Sequence, residues 1–454
     1  MQVLLISVNR ETEPYPVEPI GVAYVAAALK KAGHEVALLD LCFEGDAAAA
    51  IKRLPSEFIP GVIGISIRNI DNLTYPKSVF YLPAIREVVR NVRSVCNGPI
   101  IAGGSGFSLF PHETIEYLGV DYGLIGEGEA SMVEFVRRVE LGSEFDGVPG
   151  LIGSGLNRFC PPDLITDFTV SSPARELLDY PGYASAGGMA NVQTKRGCPF
   201  ECVYCTYPFL EGRKLRLREP RSVVDEIETL YRDRARDYFF FVDDIFNMPE
   251  GHAIGICEEI IKRRLDIRWA CFCTPKGITT GLLKAMKAAG CAAIEFGTDG
   301  GTDATLKALG KGFTVTEIEK AQQLCVEAGI EAAHYLILGG PGETKKTLHE
   351  TFALMERIRP RAVIAMLGVR IYPGTSLKDL ALKEGLIEKG ASLLEPVFYI
   401  SEGVKGSLLD DVGGYAAGRP NWVVPGLGIR SGAKIARTLA QMGKKGVMWD
   451  MLGS

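Results

Sequence analysis

Over residues 1–140, short and nearly unbroken apolar runs alternate with amphipathic stretches. "QVLLISV" (2–8), "EVALLDL" (35–41), "VIGISIR" (62–68), "PIIAGGSGF" (99–107) and "YGLIGEGE" (122–129) read as strands covered on both faces. "PIGVAYVAAALKKAG" (19–33), "FYLPAIREVVRNVRSV" (80–95) and "ASMVEFVRRVEL" (130–141) carry apolar residues at helical spacing. Pro19 stands where a helix starts and Gly33 where it stops. The alternation predicts an α/β domain over 1–144, a flavodoxin-like doubly wound parallel sheet. Ligands of such sheets sit at the carboxyl ends of the strands.

Periodicity fades across 145–187, where Pro, Gly and Ser cluster, and this reads as a linker. A second β/α series then occupies 188–385. Its candidate strands are "MANVQTKRG" (189–197), "DYFFFVDD" (237–244), "DIRWACFC" (266–273), "CAAIEFG" (291–297), "EAAHYLIL" (331–338) and "AVIAMLGVRIY" (362–372). Six strand–helix units predict a partial (β/α)6 barrel with its site at the carboxyl ends. Residues 386–454 form a less regular C-terminal region. It contains a basic amphipathic stretch, "RSGAKIARTLAQMGKKG" (430–446), read as a solvated helix face. Trp422 and Tyr399 read as core residues.

Composition narrows the class. With 47% hydrophobic and 23% charged residues the 454-residue chain can bury large cores. Its formal charge of −5 gives no nucleic-acid footprint. No apolar run reaches the length of a membrane span, and "MQVLLISVN" lacks the pattern of a signal peptide. A cytoplasmic, monomeric protein is expected. Eleven cysteines in such a chain point to metal or catalysis rather than disulfides. Cys42, Cys96, Cys257, Cys291 and Cys325 read as core thiols in apolar or helical surroundings.

The chemistry concentrates in "KRGCPFECVYCTYPF" (195–209), where Cys198, Cys202 and Cys205 are spaced C-x3-C-x2-C. A structural zinc site wants a fourth Cys or His, and none lies close in sequence. A redox pair of Cys202 and Cys205 leaves Cys198 unexplained. An iron–sulfur cubane held by three thiolates keeps one iron without a protein ligand.

With its aromatic Tyr204, in the loop after the first strand of a six-unit barrel, this motif resembles the radical S-adenosylmethionine (radical SAM) superfamily. The resemblance implies a 4Fe-4S cluster whose open iron chelates S-adenosylmethionine, and an external one-electron reductant of flavodoxin or ferredoxin type. It places Asp243 and Asp244 near the cofactor's amino group and Glu295 near its ribose or methionine moiety. It has Gly339 and Gly340 cradling adenine through the backbone, Tyr372 in the segment that closes the site, and Tyr204 beside cluster or adenine.

The first domain resembles that of the cobalamin-binding subclass. Gly103, Gly104, Ser105 and Gly106, with Gly126, Glu127 and Gly128, are then expected to let the cofactor's tail approach the backbone. The D-x-H-x-x-G signature is absent, since "NRETEPYPVEPIG" (9–21) holds no His. Arg68, Asn69, Asp71 and Tyr75 are the candidates to meet cobalt's lower face.

By resemblance, this is a cobalamin-dependent radical SAM methyltransferase acting on an unactivated carbon. One S-adenosylmethionine methylates cobalt and a second generates the 5′-deoxyadenosyl radical. The substrate is expected to be a polypeptide side chain, as in methylases of methyl-coenzyme M reductase, or a small molecule. An oxidative cyclase or oxygenase of the anaerobic porphyrin-cyclase type stays open. So do a cobalamin-free radical enzyme making C–S or C–C bonds and a non-enzymatic iron–sulfur protein that transfers electrons or senses.

Overall fold

The computed structural model describes the chain except residues 54–57, 167, 169–171, 235, 431–437, 439–445 and 452–454. It divides into two compact units. The first comprises Met1–Thr12, Pro16–Asn72 and Val79–Tyr183; the second comprises Glu13–Tyr15, Leu73–Ser78 and Ala184–Ser454.

The first unit holds β1 (Gln2–Ser7), β2 (Glu35–Asp40), β3 (Val62–Ser66), β4 (Ile100–Gly103), β5 (Tyr122–Leu124) and β6 (Leu151–Gly153). Their order is β2-β1-β3-β4-β5-β6, parallel except for β6. The chain order reverses between β1 and β3, which is the switch point where doubly wound sheets bind ligands. The helix Leu82–Val95 shows why the pattern was readable: Ile85, Val88, Val89 and Val92 form one buried stripe.

The stretch 145–187 is more than a connection. It supplies β6, pairing Leu124 with Leu151, and Ala174 N–H donates to Ala23 O at 2.9 Å. Arg175 reaches the buried Glu18 at 3.1 Å. Such a pair in low dielectric is costly to break from one side.

The second unit carries β7 (Ala190–Val192), then a ribbon of β8 (Lys195–Arg196) and β9 (Arg216–Leu217). The strands β10 (Tyr238–Phe241), β11 (Arg268–Cys273), β12 (Cys291–Asp299), β13 (Glu331–Leu338) and β14 (Ala362–Leu367) follow. A second ribbon, β15 (Val369–Arg370) with β16 (Phe398–Tyr399), and finally β17 (Trp422–Val423) complete the set. The barrel sheet runs β17-β14-β13-β12-β11-β10-β7, all parallel.

Two expectations change here. The sixth strand stops at Leu367, because Gly368 turns the chain at φ +65° and β15 then pairs antiparallel with β16. The C-terminal region also adds β17 as a seventh strand beyond β14. Its Trp422 is buried in the core with Leu336, Phe352 and Val363. Tyr399 is buried as well. The basic stretch lies largely outside the described residues. Among the described residues no helix is long and apolar enough to cross a membrane.

Candidate active site in the barrel and candidate cofactor face of the first unit

The three cysteines occupy a loop between β8 and β9, clamped from three directions. Cys198 N–H donates to Gly212 O at 3.0 Å, Val203 N–H to Leu309 O at 3.0 Å, and Leu377 N–H to Val203 O at 2.8 Å. Gly197 (φ +94°) is obligatory, since a Cβ there would lie 2.4 Å from Lys214 O. Gly310 is equally constrained, its Cβ position being 2.6 Å from Glu201 O. The loop is therefore preorganised.

Among the described residues no three His, Cys, Asp or Glu groups converge as a single metal ion requires. A cubane would take its three thiolates at separate corners. Burial pushes the Cys198 thiol up to about 11 and Cys205 to about 12, and raises Cys202 too. Iron must displace those protons to bind.

Tyr204, between two of the cysteines, donates its hydroxyl to Asp299 Oδ2. The Lys311 ammonium meets the same oxygen at 2.5 Å, and its charge opposes the effect of burial on the nearby Cys202 thiol. Asp299 terminates β12 at φ +63°, a conformation few non-glycine residues adopt. Asp299 and Lys311 escaped the sequence reading because their relation to Cys202 exists only after folding.

The adjacent carboxylates after β10 differ. Asp243, 1% exposed, accepts Thr194 N–H at 2.6 Å, Lys195 N–H at 3.1 Å and the Thr194 hydroxyl. Lys195 Nζ lies 3.7 Å from it and is otherwise held by the carbonyls of Phe246 and Met248 at 2.7 and 3.1 Å. Asp244 Oδ2 is buried and has no hydrogen-bond partner among the described residues. Burial, then Glu211 and Asp243, raises its pKa well above the ordinary value. An orphaned buried carboxyl oxygen is costly unless a ligand completes it.

Just after β13 the glycines meet a further acid. Glu343, 3% exposed, accepts Gly339 N–H, and burial lifts its pKa to about 7. A Cβ on Gly340 would lie 3.1 Å from Leu309. The Tyr372 carbonyl accepts the Thr375 hydroxyl at 2.8 Å, just before the helix whose Leu377 grips Val203. Glu295 stands mid-strand on β12, 1% exposed, accepting Trp449 Nε1–H at 2.7 Å.

In the first unit, Arg68, Asn69, Ser105 and Gly106 converge at the carboxyl ends of β3 and β4. Ser105 donates to Arg68 O at 2.9 Å, Gly106 N–H to Ile67 O at 3.0 Å, and Arg68 Nε to Asn69 Oδ1 at 3.0 Å.

The comparisons with known proteins decide what these two units are. The profile of the radical SAM superfamily matches residues 192–355, and that of the B12-binding domain matches residues 6–136. The chain carries a radical SAM domain and a B12-binding domain.

It is 26% identical over 434 residues to tryptophan 2-C-methyltransferase of Streptomyces laurentii, covering 81% of this chain and 72% of that one. It is 26% identical over 355 residues to the anaerobic magnesium-protoporphyrin IX monomethyl ester cyclase of Rubrivivax gelatinosus, covering 75% and 62%. In fold it is similar to the radical S-adenosylmethionine methyltransferase TsrM of Kitasatospora setae, solved with cobalamin and a [4Fe-4S] cluster bound. The TM-score is 0.89 at 23% identity, over 100% of this chain and 97% of that one.

The radical SAM domain fits its groups with some reassignment. Cys198, Cys202 and Cys205 would supply three thiolates to a cluster, and Asp244 Oδ2 is a buried acceptor with no hydrogen-bond partner among the described residues. Asp243 is not free in this way, because the turn after β7 consumes it. Glu295 already accepts the Trp449 indole N–H.

In the B12-binding domain the glycines divide. Gly104 (φ +102°) and Gly106 would place a Cβ 2.6 Å from Ile67 O and 2.9 Å from Arg68 O. Gly126 (φ +82°) would meet Pro162 at 3.0 Å. These three serve the chain's own packing. Gly103 and Gly128 have ordinary clearances of 3.6 and 3.4 Å. Glu127 accepts Ile165 N–H at 2.6 Å. Asp71 is buried at a bridge to Phe80, and Tyr75 belongs to the second unit, its ring tilted against Phe398 at 5.5 Å between centroids. Of the four residues expected below cobalt, Arg68 and Asn69 lie at the carboxyl end of β3.

Proposed function

We propose that this chain is a cobalamin-dependent radical SAM C-methyltransferase. The observation that carries the reading is the three-cysteine loop with the unpartnered Asp244 at the end of β10, in a chain that also holds a B12-binding domain. When bound, the cluster, S-adenosylmethionine and cobalamin supply the reducing electron, the methyl group and the cobalt that carries it.

The chain's own residues do the rest. Cys198, Cys202 and Cys205 would hold the cluster by three thiolates and leave a site for S-adenosylmethionine. Asp244 would accept the cofactor's ammonium, and Gly339 and Gly340 would offer backbone to its adenine. The Asp299–Lys311 pair braces the loop against β12. Arg68 and Asn69, at the carboxyl ends of the first sheet, would contact cobalamin. Apolar inward residues of the barrel exclude water from a reactive substrate radical.

The tryptophan methyltransferase relative supports carbon as the methyl acceptor. The acceptor is the side chain of a polypeptide or a free small molecule of similar shape, and the reductant is a flavodoxin or ferredoxin. The cyclase relative supports a second reading, oxidative ring closure.

The test is anaerobic reconstitution of the full chain with iron, sulfide and cobalamin, then incubation with S-adenosylmethionine and dithionite. Mass spectrometry of L-tryptophan, of tryptophan-containing peptides and of a porphyrin ester follows. A product heavier by one methylene supports the methylase; loss of hydrogen or gain of oxygen supports the cyclase. Failure to retain cobalamin overturns both.

A further inference from the structure

The barrel is hollowed at its amino end by small residues. Ala270, Ala293, Ala333 and Ala362 lie at the starts of β11 to β14 and are all buried in one cluster. Four methyl groups cannot fill the centre of a barrel, whose interior is normally a packed core. The far end of the chain fills it. Val447, Met448 and Trp449 belong to that cluster, with Trp449 5% exposed. Gly446 allows the entry at φ +123°, where a Cβ would meet the Tyr238 ring at 2.9 Å. A buried indole needs a partner for its N–H, and Trp449 finds Glu295 at 2.7 Å.

Nearer the carboxyl ends, strand alternation turns Val242, Phe272, Gly297, Ile337 and Met366 inward, one inward position beyond Ala270 on β11 and two beyond the alanines on β12 to β14. None of these is buried, and Phe272 is 37% exposed although its ring lies only 4.9 Å from that of Phe240. Apolar side chains that face a barrel axis yet remain accessible line an open chamber. Its floor is Trp449 with Tyr335. The Glu295 carboxyl at that level accepts the Trp449 N–H and is 1% exposed, so the floor presents little charge to a polar head group.

We propose that Trp449 is a specificity-determining residue whose indole, fixed by Glu295, sets the depth of the substrate chamber, and that the chamber admits a flat, uncharged ring. This rests on the methyltransferase reading only in calling the occupant a substrate. Removing the indole deepens the chamber by one ring, while Trp449→Phe keeps a floor without the N–H.

The experiment is ligand-observed NMR on the reconstituted full chain with two probes, indole and the longer 2-phenylindole. The native protein is expected to bind indole at least about ten-fold more tightly than 2-phenylindole. Trp449→Ala should reverse that order and Trp449→Phe should retain it, at equal helical content by circular dichroism. If Trp449→Ala does not fold, Trp449→Leu, which lowers the floor partway, should narrow the preference. A folded Trp449→Ala or Trp449→Leu protein with the native order overturns the floor. A native protein that methylates a substrate yet binds neither probe overturns the ring class and leaves the methyltransferase standing. The expected probe order in a protein that transfers no methyl group supports the chamber and overturns the enzymatic reading.

Discussion

The Tyr204 hydroxyl and the Lys311 ammonium donate to the same oxygen, Oδ2 of Asp299. A residue lodged between Cys202 and Cys205 is thereby tied to the end of β12 and to the loop after the helix Asp303–Ala308. Asp299 and Lys311 have side chains only 6% and 10% exposed, so each neutralises the other where water cannot.

Lys311→Met should therefore cost about 3–5 kcal/mol by stranding a buried carboxylate. Urea denaturation measures it, and reconstituted protein should also hold less iron. Adding Asp299→Asn should recover part of the loss, since the two sites are coupled.

The carboxylates after β10 should separate stability from binding. Asp243→Asn removes an acceptor from Thr194 and Lys195 and should lower stability by roughly 1–3 kcal/mol. Asp244→Asn should leave the melting temperature unchanged or raised, because it replaces a buried carboxyl whose Oδ2 has no hydrogen-bond partner among the described residues, yet weaken S-adenosylmethionine binding in equilibrium dialysis. Equal loss of stability in both variants contradicts this division.

Glu295 and Glu343 both have pKa values raised to about 7 by burial. The folded chain then binds more protons than the unfolded one between the ordinary carboxylate value and pH 7. Stability should fall across that window by up to roughly 1.4 kcal/mol per pH unit for each group, and flatten above it. Glu343→Gln should remove its share of the slope in denaturation curves taken at successive pH values.

Gly104→Ala should destabilise the first unit sharply, from both its positive φ and the carbonyl it would strike. Gly128→Ala, at φ −91°, should be tolerated. If Gly128 is where cobalamin's tail approaches, its alanine variant will lose cobalamin during gel filtration at an unchanged melting temperature.

Much of this protein was legible in the chain itself. Strands that pair on both sides must be apolar on both faces, so the parallel sheets announced themselves as unbroken runs such as "QVLLIS" and "YFFF". Three thiolates in one loop are local chemistry, fixed by spacing alone. Short pairings were not legible. β6 and β17 are three and two residues long, and only a waiting sheet edge makes strands of them.

The division of labour within the site also belonged to the tertiary structure. Asp243 and Asp244 are the same residue type side by side, and what separates them is whether the turn after β7 arrives to claim one. Glu295 meets Trp449 from 154 positions away, and the Lys311 charge comes near Cys202 from another loop. A sequence specifies local geometry and the burial pattern directly. It specifies partners only through the fold, because the energy of a buried charge depends on what surrounds it in space.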